Sequence, residues 1–415
     1  MKKTVVIFNG AVGTIPFYAF QSFERGFNHL GYETVLVDTE SLSIKEQIAN
    51  IVSTTDVRFF LTHNMRGYDI TYESNGREEF FYDLFGKPLV AFVDTPLNKT
   101  KEIRESGRNK MILLVDRSFI PLVKKIAHPE SIITYLPTSV FDCCPIDAQR
   151  YIKPMVDRNI DVLFVGRVGN GHNFRIPVDE VQQKMADHIA KVAFGCLDRQ
   201  IYEIAEEVFA KAGMTIADPL CEEFLEYCWT IAHRVRSQRR MLVLDDLVAL
   251  PSNVNLTIVT NNPDSIKDKF RTNVNFMPFQ PWPKIVELMD DSKIVINVQP
   301  FHIYGTHERI ATAMAHGAVV ASDKNIYLDE HHADGRDIIF YDFKRGDLSH
   351  KLIKNLSDVS NLQNMAICGA EKTIANDLTI NRCRDIISWV NTLDGHEKKM
   401  SKLGTDERYY IETTR

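Results

Sequence analysis

Residues 293–323, KIVINVQPFHIYGTHERIATAMAHGAVVASD, decide the fold. The run KIVINV has no polar alternation, as expected of a strand buried on both faces. After the loop FHIYG, the segment THERIATAMAHG reads as a short helix of small residues, with Thr306 as its N-cap and Gly317 as its stop. AVVASD then returns as a second buried strand. Strand, slim helix and strand in this order make a crossover unit of a parallel sheet. Polar side chains crowd the turn between strand and helix: His302, Tyr304, Thr306, His307, Glu308 and Arg309. A helix N-terminus at a strand's carboxyl edge offers unpaired N–H groups and the positive end of a dipole, which suits an anion. The alternative is a capped surface helix with solvated charges.

The same rhythm extends in both directions. Around the opening segment lie IDVLFVG (160–166), VNLTIVT (254–260), VNFMPF (274–279) and DIIFYD (337–342), with helical patterns such as WPKIVELMDDS between them. The first half repeats it with TVVIFNG, YETVLVD, VRFFLTHN, PLVAFVDTP, MILLVDRS and SIITYLP, the first two separated by a helix that Gly31 stops. The stretch FDCCPIDAQRYIKPMVDRN breaks the pattern as a linker would. The expected architecture is therefore α/β, with two Rossmann-like domains. Residues 1–150 form the first, residues 151–392 the second, and residues 393–415 a polar tail. One gap is too long for a simple crossover, which needs about a dozen residues. Residues 179–249 within it read as a helical insertion, serving as local packing, an acceptor-side wall or an oligomer contact.

Composition narrows the function. The chain has 415 residues, 44% hydrophobic and 25% charged, which suits two or three globular domains. Its net charge of −6 argues against a nucleic-acid partner. No apolar run approaches the roughly 20 residues that span a bilayer, and the opening MKKTVVIFNG reads as a buried strand rather than a leader. Seven cysteines include no CxxC pair, so reduced thiols and a cytoplasmic location are expected.

Residues just past the strands' carboxyl ends carry the chemistry in open parallel sheets. After IDVLFVG come Arg167, Gly169, Asn170 and Gly171, then His172 and Arg175: glycines that let a backbone approach phosphate, and guanidiniums that bind it through two hydrogen bonds. In the first domain the strand-end candidates are Asn9 with Gly10, His63 with Asn64, and Asp94. His63 and Asp94 are the candidates for general-base work on an acceptor. The His331–His332 and Asp329–Glu330 pairs read as a solvated turn, and no metal site is expected.

The segments DVLFVGR, VNFMPFQPWPKIVELMDDSKIVINVQP, GTHERIATAMAHGAVVASD and YLDEHHADGRDIIFYD, in that order, resemble the carboxyl-terminal domain of GT-B nucleotide-sugar glycosyltransferases, of the CgeB-like, group 1 branch. The resemblance covers roughly residues 160 to 390. It implies two domains facing across a cleft and a hexosyltransferase-type activity that needs no metal or cofactor. The donor would be a nucleotide sugar, UDP- or GDP-linked; the acceptor is unidentified, whether glycan, protein or small molecule. It also implies that Arg167 and Arg309 serve the diphosphate, with Gly169, Asn170 and His307 beside them, and that the 277–282 loop lies near the base. Many members carry a glutamate five residues before the helix-ending glycine, where it holds the ribose. This chain has Thr312 there, and Glu308 stands one turn earlier. A nucleotide-sugar epimerase or hydrolase of the same architecture, or a non-catalytic nucleotide-sugar-binding protein, fits the same residues.

Overall fold

The computed structural model describes residues 2–9, 14–141, 152–168, 179–299 and 302–400. They fall into two units, residues 1–146 with 378–415, and residues 147–377.

The first unit runs β1 (Lys3–Asn9), α1 (Ile15–His29), β2 (Glu33–Asp38), α2 (Ile44–Thr54) and β3 (Asp56–His63). A hairpin follows, β4 (Thr71–Ser74) and β5 (Arg77–Phe80), then α3 (Phe81–Leu84), β6 (Leu89–Val93), α4 (Thr100–Glu105), β7 (Lys110–Leu114), α5 (Ile120–Ile126) and β8 (Ile132–Tyr135). The six expected strands form one parallel sheet, ordered β2-β1-β3-β6-β7-β8. The apolar runs are explained by burial on both faces: every residue of β6 and β7 is buried.

The second unit opens with β9 (Ile160–Val165). Three helices follow, α6 (Glu180–Phe194), α7 (Ile201–Lys211) and the 27-residue α8 (Glu222–Val248), where the sequence indicated a helical insertion. Then come β10 (Leu256–Val259), β11 (Asn275–Met277), α9 (Trp282–Asp290), β12 (Ser292–Asn297), α10 (Glu308–Ala315), β13 (Val319–Asp323), α11 (Ile326–His331), β14 (Ile339–Tyr341), α12 (Asp347–Leu356) and α13 (Val359–Asn376). The sheet order is β11-β10-β9-β12-β13-β14, all parallel. The chain order reverses between β9 and β12, the crevice where such sheets take their ligands.

Small residues set the packing of α10. Ala311, Ala313 and Ala315 are buried, and Gly317 leaves the helix at φ +69°. A Cβ on Gly317 would stand 2.3 Å from Ile152 and 2.9 Å from the Arg158 guanidinium. Arg158 occupies that space because it donates to the carbonyls of Ser292 (2.7 Å) and His316 (2.9 Å), tying α10's end to the start of β12. Only glycine meets both demands.

Two boundaries differ from expectation. The last helix, α14 (Thr379–Met400), was assigned to the second domain through residue 392, but it packs on the first unit. Cys383, Ile386, Trp389 and Val390 join the core of Phe20, Phe23 and Phe27. Gly26 of α1 makes room, since a Cβ there would lie 2.6 Å from the Cys383 sulfur. The other difference is α10's cap: His307 takes the N-cap place and Thr306 lies one residue outside it.

Candidate functional site

The carboxyl ends of β9 and β12 bring together much of what the sequence singled out. Arg309 is 7% exposed in the first turn of α10. One of its amino groups donates to Asn297 Oδ1 (3.3 Å) at the end of β12, and its Nε has no partner. Asn297 is fixed in turn: its amide donates to Ser322 Oγ (2.9 Å), and its carbonyl accepts from Tyr341 Oη (2.6 Å). The loop before α10 is pinned from the other side by Asn325, whose amide donates to the carbonyls of His302 (2.8 Å) and Gly305 (2.9 Å). The helix N-terminus is thus preorganised by buried side chains.

His307 and Glu308 begin the helix. His307 Nδ1 lies 3.0 Å from Glu308 Oε2 and 3.3 Å from the Arg309 N–H. One nitrogen cannot both donate and accept. The shorter contact, to a carboxylate, is the stronger one, so Nδ1 carries the proton. Burial first, then Arg309, His302, Arg240 and Arg236, hold His307 well below the usual histidine range, so its ring stays neutral. Thr312, further along α10, is fully buried. Arg167 follows β9 and is exposed, its guanidinium 5.7 Å from the ring centroid of Phe279, itself 46% exposed. Gly169 and Asn170 lie outside the described residues.

The sequence reading missed several groups here. Gln299 is 2% exposed and neither atom of its side-chain amide has a partner, while its N–H donates to Asp323 Oδ1 (2.7 Å). Asp323 ends β13 with Oδ2 unpartnered. From the insertion, α8 contributes Arg240, which donates to the Arg167 carbonyl (3.1 Å), and Arg236, which meets His233 Nδ1. Burial and then the charges of Arg309 and Arg167 pull Arg236 down to about 10. Burial, then Arg236 and Arg309, drive Arg240 well below its ordinary value. Among the described residues, none of Arg167, Arg236, Arg240 and Arg309 makes an ion pair with a carboxylate. Glu308, close to Arg309 and Arg240, counters only part of the charge of these four crowded cations, which leaves a site for an anion from outside. The signal was HRVRSQRR (233–240), which as sequence reads like the solvated face of a long helix.

Asp323 gives this arrangement a measurable cost. Burial, opposed by Arg239, pushes its carboxyl from 3.8 to about 6. Between those two values the folded chain keeps a proton that the unfolded chain has released. Stability therefore falls as pH rises from about 4 to about 6. Asp323→Asn keeps an oxygen for the Gln299 N–H and carries no charge. It should gain stability over the wild type on the order of 3 kcal/mol at pH 7, and nothing below pH 4. Melting curves of both proteins across pH 4 to 7.5 check this; parallel curves would contradict it.

In the first unit the structure joins the two general-base candidates. His63 Nε2 lies 3.0 Å from Asp94 Oδ2, across the carboxyl ends of neighbouring β3 and β6. The same oxygen accepts from the Asn64 amide (3.1 Å), and Asn64 Oδ1 accepts from the Asp94 N–H (3.0 Å). Asn64 and Met65 both sit at positive φ, 50° and 61°. Two consecutive non-glycine residues in that region are held there by their surroundings, a condition found at functional sites. His331 and His332, read as a turn, serve structure: His331 stacks on Tyr327, and His332 Nδ1 is 3.4 Å from Asp337. Among the described residues, no group of three or more His, Cys, Asp or Glu side chains is placed to hold a metal. No described helix is long and apolar enough to cross a membrane.

These two sheets make the chain a two-domain α/β protein of the GT-B glycosyltransferase fold. Anabaena HepE, solved with UDP and glucose, superposes with a TM-score of 0.52 at 10% identity, over 95% of this chain and 100% of that one. A T4 phage BGT mutant, solved with UDP-glucose, gives 0.51 at 10% identity, over 94% and 99%. Sucrose-phosphate synthase from Thermosynechococcus elongatus gives 0.52 at 8% identity, over 95% and 100%. Residues 239–388 match the family described as glycosyl transferase-like. No curated protein matches the chain.

Proposed function

We propose that the protein is a glycosyltransferase of the CgeB-like, group 1 kind, moving a sugar from a nucleotide-sugar donor, UDP- or GDP-linked, to a hydroxyl-bearing acceptor. The observation that carries this is the buried Arg309 at the N-terminus of α10, at the sheet's switch point, without a carboxylate partner and with its Nε unpartnered. The helix N-terminus and Arg309 take the donor's diphosphate, with Arg167 at the end of the adjoining strand. Phe279 offers a flat apolar face for the base, and Glu308 an acceptor for ribose or sugar hydroxyls.

In the transfer the acceptor oxygen bonds to the sugar's anomeric carbon, and the bond from that carbon to the phosphate oxygen breaks. The electron pair leaves with the nucleoside diphosphate, where guanidiniums and the helix dipole stabilise the added charge without a metal. The acceptor's proton passes to His63. Asp94 supports this step by accepting from His63 Nε2–H, which leaves Nδ1 as the basic nitrogen of the ring.

Thermal unfolding with UDP, GDP and ADP beside the parent nucleosides tests the donor site. A ligand at a hundred times its Kd adds about 2.7 kcal/mol of stability. One diphosphate should raise the melting temperature well beyond its nucleoside at equal concentration. Equal shifts for the two would remove the phosphate site from the reading.

A further inference from the structure

We propose that the helical insertion is part of the donor site, with Arg236 and Arg240 of α8 binding the terminal phosphate of the nucleoside diphosphate opposite Arg309. This rests on the donor-site reading above and extends it to a segment nearly 70 residues before α10 in sequence, a separation on the order of a small domain.

The position of Arg240 is fixed by contact. It donates to the Arg167 carbonyl, and a Cβ placed on Gly166 would lie 3.5 Å from its Nε. It therefore lies against the carboxyl end of β9, on one side of the switch point, while Arg309 lies against the end of β12 on the other. Arg236 is one turn earlier on the same face of α8, since residues four apart align along a helix. Its guanidinium is held by His233. A guanidinium has only donors, so His233 Nδ1 accepts and the ring proton sits on Nε2. The ring of Trp229 packs edge-on against His233, centroids 4.3 Å apart, and supports it from the next turn. Burial and then Arg236 hold His233 down to about 4, so it remains a neutral acceptor for Arg236 at working pH.

Neighbouring arginines of the same helix show what structural use looks like. Arg239 donates to the carbonyls of Ala193 (3.2 Å) and Phe194 (2.9 Å), and its guanidinium lies over the rings of Phe194 and Phe343. Arg234 pairs with Asp187 of α6. Arg236 and Arg240 have no such carboxylate or aromatic partner among the described residues, although they are crowded with Arg309 and Arg167. Like charges concentrated in this way repel, and a bound phosphate offsets the repulsion. Its terminal oxygens can accept from several guanidinium forks at once, which neither the α10 N-terminus nor a single arginine supplies.

The test is calorimetric titration of the full-length protein with UDP, GDP and ADP and their monophosphates. The wild type is compared with Arg236→Gln, Arg240→Gln, Arg236→Lys, Arg240→Lys, Arg309→Ala and the control Arg234→Gln. For the preferred base, each glutamine variant should lose roughly tenfold to a hundredfold in diphosphate affinity and no more than about threefold in monophosphate affinity. The lysine variants should recover part of the loss, and Arg234→Gln should match the wild type. If a glutamine variant does not fold, phenylglyoxal labelling of the wild type replaces it, with Arg236 protected by the diphosphate and not by the monophosphate. A wild type that binds no diphosphate overturns the donor-site reading and this inference together. If Arg309→Ala loses the diphosphate preference while both glutamine variants keep it, or if labelling shows no protection, this inference alone is wrong.

Discussion

Arg309→Ala is expected to lower turnover about 30- to 1,000-fold with the donor at saturation, a loss of about 2 to 4 kcal/mol of transition-state stabilisation. The size follows from burial. At 7% exposure, in the first turn of α10, the guanidinium works where water does not screen it, and its unpartnered Nε leaves a donor for the leaving diphosphate. The charge on that group grows as the sugar–phosphate bond breaks, so the contact strengthens in the transition state and the effect falls mainly on kcat. Arg309→Lys keeps the charge and loses the fork, and should fall between the wild type and alanine. The fold should survive, because removing one of several crowded cations relieves repulsion that Glu308 only partly counters. Turnover, diphosphate affinity and melting temperature are measured on the same preparations. An alanine variant that folds and turns over like the wild type places the diphosphate elsewhere.

The strands were legible because burial on both faces leaves an uninterrupted apolar run. All twelve strands of the two parallel sheets overlap segments read this way, four of them starting one residue earlier. The hairpin of β4 and β5 was not read, because TYESNGREEF is mostly polar and carries no run. Its signal was the Asn75–Gly76 pair, both at positive φ (53° and 73°), which is the two-residue turn that joins antiparallel strands. The placement of α14 was not legible for a different reason. Its apolar stripe of Cys383, Ile386, Trp389 and Val390 announces that the helix is covered, and nothing in the stripe says by which domain. Gly26, some 350 residues away, decides it by admitting Cys383.

The site divides along the same line. Arg167, His63 and Asp94 were candidates because they stand at or just past the carboxyl ends of strands, and His307 and Arg309 because they open the helix that follows β12. Arg236, Arg240 and Gln299 required three-dimensional information. An arginine in the middle of a 27-residue helix is ordinarily solvated, and it takes the contact of Arg240 with the Arg167 carbonyl, and the packing of Val243, Leu244 and Leu247 in the sheet's core, to show which part of α8 reaches the sheet. The unpartnered polar atoms of Gln299, Asp323 and Arg309 are equally invisible in sequence. Buried polar atoms left without partners cost stability, a cost commonly kept where a ligand is bound.

Substitutions in the first unit should lower transfer without disturbing the diphosphate site. His63→Gln is expected to reduce sugar transfer by about 10²- to 10⁴-fold, the range for a positioned general base, while leaving nucleoside diphosphate affinity unchanged. The affinity should be preserved because the arginines proposed to hold the diphosphate all lie in the second unit, and His63 ends β3 of the first. Asp94→Asn tests how the dyad works. The carboxylate now accepts both the His63 Nε2–H and the Asn64 amide. An amide in its place carries no charge to stabilise the ring once it takes the acceptor's proton, and can turn its own N–H toward Nε2, so the histidine is no longer held in the tautomer that leaves Nδ1 basic. Asp94→Asn should therefore lose a large part of what His63→Gln loses. The double variant should be no worse than His63→Gln alone, since the two residues act as a unit. The assay is transfer from labelled donor into acceptors in a cell extract, with diphosphate titration as the control. Losses that multiply in the double variant would mean that Asp94 acts independently of His63. Full transfer by His63→Gln would mean that another group takes the acceptor's proton.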